Sequence, residues 1–465
     1  MTAARRCAST VGAVLLVIAD GIWGIWAAPT AHAIGPPVVE PGPPPTGPVA
    51  PLEPTKLKAI CGIPTGVLPA TDFTKQTGAD AMLDYRSAWR FSRGAGQKVA
   101  VIDTGVNRHP RLRILEPGGD YVSNSDGLQD CDAHGTLVAG IIAAAPSPDD
   151  SFAGVAPDAA ILSIRQNSGA FDLAGAGANS SDDPNATSTG YGNTQTLALA
   201  ITRAVDLGAT VINLSEVACA PVAAGLDDAA VGRAVRYAFE RNVVVVAAAG
   251  NFNTQSMCSA QNAMSDPNQP LAKGWDTVGT IASPAWFDDY VLTVGAVTTS
   301  SAPAEFSLHG PWVGVAAPGE RVTSLDSSGP GLINAQLGQD GLSPLNGTSF
   351  AAPFVSGVVA LIRSRFPELT AGQVIELIKR TARTPGDGPN PATGYGVVDP
   401  VAALTHQLSP AHSEPPSDGG TPISGPPQPD PGNVRARTIV LGVTAASLAL
   451  MAGALALAAA RRRDR

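Results

Sequence analysis

The sequence has no basic block in its central region. Its 39 acidic residues outnumber 30 Lys and Arg, giving a formal net charge of −9 and a pI near 5.2. Without a basic patch to neutralise phosphates, nucleic-acid binding is not expected. None of the five cysteines forms a C-x-x-C pair, which argues against a zinc site. No acidic cluster has the spacing of an EF-hand loop. No cofactor and no resident metal is therefore expected. Proline is concentrated near the two ends, while the middle is rich in Val, Ile, Leu and Ala. One large domain between non-globular ends is expected, although 465 residues would allow up to about three.

The first end reads as a secretory signal over residues 1–33: Arg5 and Arg6, an apolar segment from Val11, and Ala31-His32-Ala33 as the cleavage site. An uncleaved anchor is the alternative. Residues 34–87 form a Pro-rich extension. From Ile34 to Pro54 it should be extended, polyproline-like and unpacked, serving as a spacer. Lys56 to Trp89 is a mixed segment holding Cys61, either a propeptide or an arm laid over the domain. At the other end, 409–437 is a Pro-, Gly- and Ser-rich stalk. Residues 438–460 carry no charge and as a helix would be about 34 Å long, enough to cross a membrane. The basic tail 461–465 fits the cytoplasmic side, so the body should lie outside the membrane.

Cys7 leaves with the signal. The remaining four cysteines, in an exported chain, point to two disulfides with three possible connectivities. Sequence neighbourhood favours Cys61–Cys131 and Cys219–Cys258.

Between the ends, residues 88–408 alternate short β-branched runs with helical segments. Gln97–Val106, Ala160–Ile164, Thr210–Leu214, Val243–Ala249, Tyr290–Val297 and Trp312–Ala316 read as strands. Segments starting near Asp132, Leu197, Val231, Phe350 and Leu369 read as helices. The pattern predicts a parallel sheet covered on both faces. Gln166–Thr196, rich in Gly, Ser, Asn and Asp, reads as a mobile surface loop.

Three polar residues stand at element ends. Asp103 closes a strand, His134 opens a helix, and Ser349 follows Gly347-Thr348 at the start of another. Each alone reads as a turn or cap residue. Pro353 is expected in the first helical turn, where its missing N–H costs nothing. Together they supply a hydroxyl to attack an acyl carbon, an imidazole to take its proton and a carboxylate to orient the imidazole. Asn251, after Ala248-Ala249-Gly250, supplies an amide for the developing oxyanion.

The order Asp, His, Ser is that of subtilisin. Val101-Ile102-Asp103-Thr104-Gly105-Val106, His134-Gly135-Thr136-x-Val138-Ala139-Gly140, Ala248-Ala249-Gly250-Asn251 and Gly347-Thr348-Ser349-x-Ala351-x-Pro353 resemble the subtilase motifs. The resemblance covers about Ala88 to Leu404. It implies a three-layer α/β/α fold with a mostly parallel central sheet, and a serine endopeptidase. The wider layout of signal, extension, domain, stalk, helix and basic tail resembles the mycosins, membrane-anchored subtilases of type VII secretion systems. That resemblance implies secreted protein substrates, association with the secretion membrane complex, and an N-terminal extension wrapped on the domain. It also implies that substrate adds as a strand between Leu214-Ser215-Glu216 and Ala248-Ala249-Gly250. Glu216 departs from the pattern, standing where glycine is usual, so the specificity of relatives does not transfer. Glu216, Asp227 and Asp228 have two readings: acidic groups that favour basic residues in the substrate, and, as the simpler expectation, solvated charge. Two other readings use the same residues: a structural component of an assembly in which catalysis is secondary, and an esterase or transpeptidase.

Overall fold

Strands β1 (Lys98–Asp103), β2 (Leu115–Asp120), β3 (Ala160–Arg165), β4 (Val211–Leu214), β5 (Val244–Ala248), β6 (Val291–Val297) and β7 (Val313–Pro318) form one sheet in the order β7-β6-β5-β4-β1-β3-β2. Every pairing in it is parallel. The structure is a computed structural model. It describes residues 34–175, 183–254, 258–264, 266, 269, 271–338, 341–406, 446–447 and 450–454.

The two faces follow from the two-residue period of a strand. Ala100 and Ile102 of β1, Ile212 and Leu214 of β4, and Val245 and Ala247 of β5 point to one face. There they pack against helices α2 (Thr194–Asp206) and α3 (Ala229–Glu240). Their neighbours Asp103, Asn213 and Ala248 point to the other face. That face is covered by α1 (His134–Ala143) and by α4 (Thr348–Arg365), which runs against β4, β5, β6 and β7. Helix α5 (Ala371–Thr381) follows, fixed by a capping box between Thr370 and Gln373. The candidate functional residues thus lie at the carboxyl ends of parallel strands and the starts of two helices on one face, the usual place for a site in such sheets.

Two expectations are corrected, and one strand was not expected. The Pro-rich stretch is packed: Val39 lies against the α2–α3 core, Ile34 against a second apolar cluster around Trp275 and Trp312, and the Leu52 N–H donates to the Tyr191 hydroxyl at 2.8 Å. Proline removes donors, but it does not stop a polyproline ridge from burying its apolar side chains. The segment 166–196 is anchored at its base, with Gln166, Asn167 and Ser168 fully buried. Its strand Phe171–Leu173 pairs antiparallel with Thr55–Leu57 of the extension. Finally, β2 is an unforeseen edge strand. Its sequence Leu-Glu-Pro-Gly-Gly-Asp has no β-branched residue, and a register shift lies between Pro117 and Gly119. Only its neighbour β3 makes it a strand, since the pattern of its own side chains says turn.

The extension also contributes Thr65–Gly66 to a small antiparallel sheet with Ala335–Gly338, which pairs in turn with Gly341–Pro344. Among the described residues no helix is long and apolar enough to cross a membrane. The expected signal at 1–33 and stalk at 409–437 lie outside the described residues. The expected span at 438–460 has only residues 446–447 and 450–454 described, all helical.

Candidate active site

Asp103 ends β1 with no solvent exposure, and its Oδ1 lies 2.7 Å from Nδ1 of His134, the first residue of α1. The same oxygen accepts the Thr104 N–H at 2.8 Å. The approach of strand and helix is close enough that a Cβ on Gly135 would meet the Gly105 carbonyl oxygen at 2.0 Å. Asp130 holds this junction. Its Oδ1 accepts from the Thr104 hydroxyl, and its Oδ2 from the N–H and hydroxyl of Thr136, all within 2.9 Å. The Thr104 hydroxyl oxygen in turn accepts the Gly135 N–H at 2.9 Å. Burial pushes the Asp130 carboxyl up to about 6, against these hydrogen bonds.

Ser349 is the second residue of α4 and is 7% exposed. A Cβ on Gly347 would stand 2.9 Å from Ser349 Oγ and 3.5 Å from Asn251 Nδ2, so glycine there keeps a small space that both atoms line. Asn251 follows β5 and is exposed. Its Oδ1 accepts the Thr348 N–H at 2.9 Å and the Thr348 hydroxyl at 3.0 Å. Phe350 brings α4 against α1, its ring 5.4 Å from that of His134. The structure thus pairs Asp103 with His134, sets Ser349 Oγ and Asn251 Nδ2 beside Gly347, and connects the two pairs through the Phe350–His134 ring contact.

Pro353 lies one turn deeper than expected. Its missing N–H is the one that would have bonded the Ser349 carbonyl within the helix. The Ser215 hydroxyl donates to that carbonyl instead, at 2.9 Å, and accepts from Asn213 Nδ2 at 2.9 Å. Asn213 Oδ1 accepts from Ser356 of α4 at 2.8 Å. Ser215 was expected only in the substrate-pairing stretch, not as a partner of α4. Only the register of β4 beside α4 reveals that role.

The six residues expected to bind substrate divide. Leu214 is paired with Ala247 inside the sheet, and Ala248 with Val294. The Ala249 N–H donates to the Val294 carbonyl at 3.0 Å; the Gly250 N–H donates to Thr348 Oγ1 at 3.2 Å, and its carbonyl accepts from Leu308. Leu214, Ala248, Ala249 and Gly250 are thus buried, with backbone groups already paired within the domain. Glu216 is largely withdrawn from water rather than solvated. Its side chain is 24% exposed and its Oε1 lies 3.5 Å from His134 Nδ1. Of its acidic neighbours in sequence, Asp228 is buried and accepts from Trp286 Nε1, while Asp227 is exposed.

Burial alone would push the His134 imidazole down. Asp103, with Glu216 and Asp130, more than offsets this and raises it well above the ordinary histidine range. Donor atoms of Asp103, His134 and Glu216 lie within 4.8 Å of one another, the only such cluster among the described residues. The short Asp103–His134 hydrogen bond uses the ring nitrogen that an ion would need, so the donor set fits a hydrogen-bonded pair better than a metal centre.

Disulfides bracket the site. Cys61–Cys131 ties the extension to the residue three before His134, and Cys219–Cys258 ties the chain just past Glu216 to the segment after Asn251.

The Subtilase family's sequence model matches residues 94–396. Mycosin-1 of Mycolicibacterium smegmatis is 46% identical over 466 residues, covering 99% of this chain and 100% of the relative. The chain belongs to the subtilase family, among the mycosins. It is a subtilisin-like serine protease. The crystal structure of MycP1 from Mycobacterium smegmatis is 47% identical, with a TM-score of 0.75 over 81% of this chain and 96% of that one. A chain of an intact ESX-5 inner membrane complex is 45% identical, with a TM-score of 0.76 over 91% of this chain and 99% of that one.

Proposed function

We propose that this mycosin is an endopeptidase in which Ser349 attacks the scissile carbonyl. His134 takes the Ser349 proton and returns it to the leaving amine. Asp103 fixes the imidazole tautomer with its proton on Nδ1, leaving Nε2 to act as base. The oxyanion takes the Asn251 side-chain amide and the Ser349 backbone N–H, one of the helix-start donors without an intrahelical partner. The observation that carries this reading is the 2.7 Å contact of Asp103 with His134, whose ring lies 5.4 Å from that of Phe350, the residue after Ser349.

The substrates are exported proteins, and the setting is a type VII secretion membrane complex like the ESX-5 assembly that holds a relative. The disulfides fit an oxidising, extracytoplasmic compartment. Residues 1–33 direct export, 34–87 form the extension, 88–408 the catalytic domain, 409–437 the stalk, 438–460 the membrane anchor and 461–465 the cytoplasmic tail. Incorporation of a relative in that complex also favours a second, compatible reading, in which the chain supports assembly independently of cleavage.

The test is Ser349→Ala in the purified full-length chain. Peptide cleavage and fluorophosphonate labelling should both vanish while the thermal unfolding transition stays in place. Retained cleavage would overturn the catalytic reading. Complementation of a deletion strain by the same variant separates the two roles: restored secretion means that assembly suffices.

A further inference from the structure

Glu216 stands two residues beyond the end of β4, and its carboxylate faces the imidazole that Asp103 already orients. One carboxylate at Nδ1 is enough to set the tautomer and stabilise the imidazolium formed during catalysis. A second one acts on the resting state. It favours the charged imidazole, the form that cannot accept the Ser349 proton. It also holds an acidic side chain, three-quarters removed from water, on the stretch just beyond β4 that is expected to meet substrate. The charged groups that act here share one sign: Asp103 at the end of β1, Asp130 and Asp132 before α1, and Glu216 after β4. Burial pushes the Glu216 carboxyl up; His134 draws it back, while Asp103 and Asp132 add to the rise. A cation arriving from outside would therefore find a site short of positive charge.

We propose that Glu216 determines specificity: it pairs with a lysine or arginine side chain of the substrate adjoining the scissile bond, and the pairing withdraws its charge from His134. Basic substrate and a competent base then arrive together, and a substrate lacking the cation meets an imidazole still biased toward its protonated form. No covalent step is added, since the substrate's cation only neutralises a carboxylate that otherwise sits on the base. The inference rests on the catalytic assignment of Ser349, His134 and Asp103.

The experiment uses the purified full-length chain and a mixed peptide library read by mass spectrometry. Cleaved peptides should be enriched in Lys or Arg at one position flanking the bond. A single peptide from that set and its Lys→Gln or Arg→Gln counterpart then give kcat/KM, with an expected preference of roughly tenfold or more for the basic form. Glu216→Gln should abolish the preference, mainly by speeding cleavage of the neutral peptide. It should also move the acidic limb of the neutral peptide's kcat/KM profile to lower pH, which a purely structural role would not do. Glu216→Asp should keep the preference and carries the test where Glu216→Gln does not fold. A library without basic enrichment, or a preference that survives Glu216→Gln, overturns the proposal. Ser349→Ala run in parallel separates the two claims: cleavage by that variant refutes the catalytic assignment, whereas its inactivity beside an unchanged Glu216→Gln refutes only the role of Glu216.

Discussion

Asn251 is clamped to Thr348, accepting both its backbone N–H and its hydroxyl at 2.9 and 3.0 Å. A backbone N–H can bond only an acceptor, so this contact fixes the amide's orientation and turns Nδ2 toward the space above Gly347 that Ser349 Oγ also lines. Replacing Asn251 by Ala should lower kcat by about 10²–10³ with little change in KM, because the donor acts on charge that develops only in the transition state. Steady-state kinetics on a peptide substrate measures it. A loss confined to KM would mean that Asn251 binds the ground state.

The Cys61–Cys131 bond closes a loop of 70 residues, and the Gly62 N–H donates to the Cys131 carbonyl at 2.9 Å. The extension is thus fastened next to the start of α1. Replacing both cysteines by Ser should lower stability by about 2–4 kcal/mol. The denaturation midpoint records the loss, and hydrogen exchange should rise first along Thr55–Leu57. Peptide mapping without reductant should recover the Cys61–Cys131 pair.

Gly135 sits where α1 meets the end of β1. Its added Cβ would face a backbone carbonyl at 2.0 Å and the Asp103 Cβ at 3.2 Å, so the Asp103–His134 approach must open. Gly135→Ala should cost about 1–3 kcal/mol and most of the activity. Gly386→Ala, with nothing within 4 Å, should stay within about 0.5 kcal/mol and keep full activity. Unfolding curves and peptide turnover for the pair provide the comparison.

Asp120 gives a pH dependence of definite sign. Burial alone would push its carboxyl up, but hydrogen bonds from Ser125, Ser123 and Val122 outweigh this and hold it below the ordinary 3.8. The folded chain then binds fewer protons here than the unfolded chain. The resulting stability is complete above that value and is lost as pH falls through the lower folded one. Asp120→Asn should be less stable than the parent at neutral pH, and the gap should close below pH 3.8. Melting temperatures across an acid series would detect it. A constant gap would assign the loss to packing alone.

The sequence by itself determined what is local. The strands β1, β3, β4, β5, β6 and β7 were legible within a few residues because β-branched runs bounded by glycine have few other conformations. The places of Asp103, His134, Ser349 and Asn251 at element ends were legible because each sits in a short motif whose glycines set the backbone around it. Tertiary structure decided the rest. β2 is a strand only because β3 offers its edge. The Pro-rich stretch packs only because α2 and α3 present an apolar surface to it. Ser215 became the partner of the Ser349 carbonyl because Pro353 leaves that carbonyl open and β4 runs alongside. Glu216 changed most, from a solvated charge to a second carboxylate at His134. Where a side chain points depends on strands and helices far apart in sequence, and no local pattern encodes the cleft they form between them.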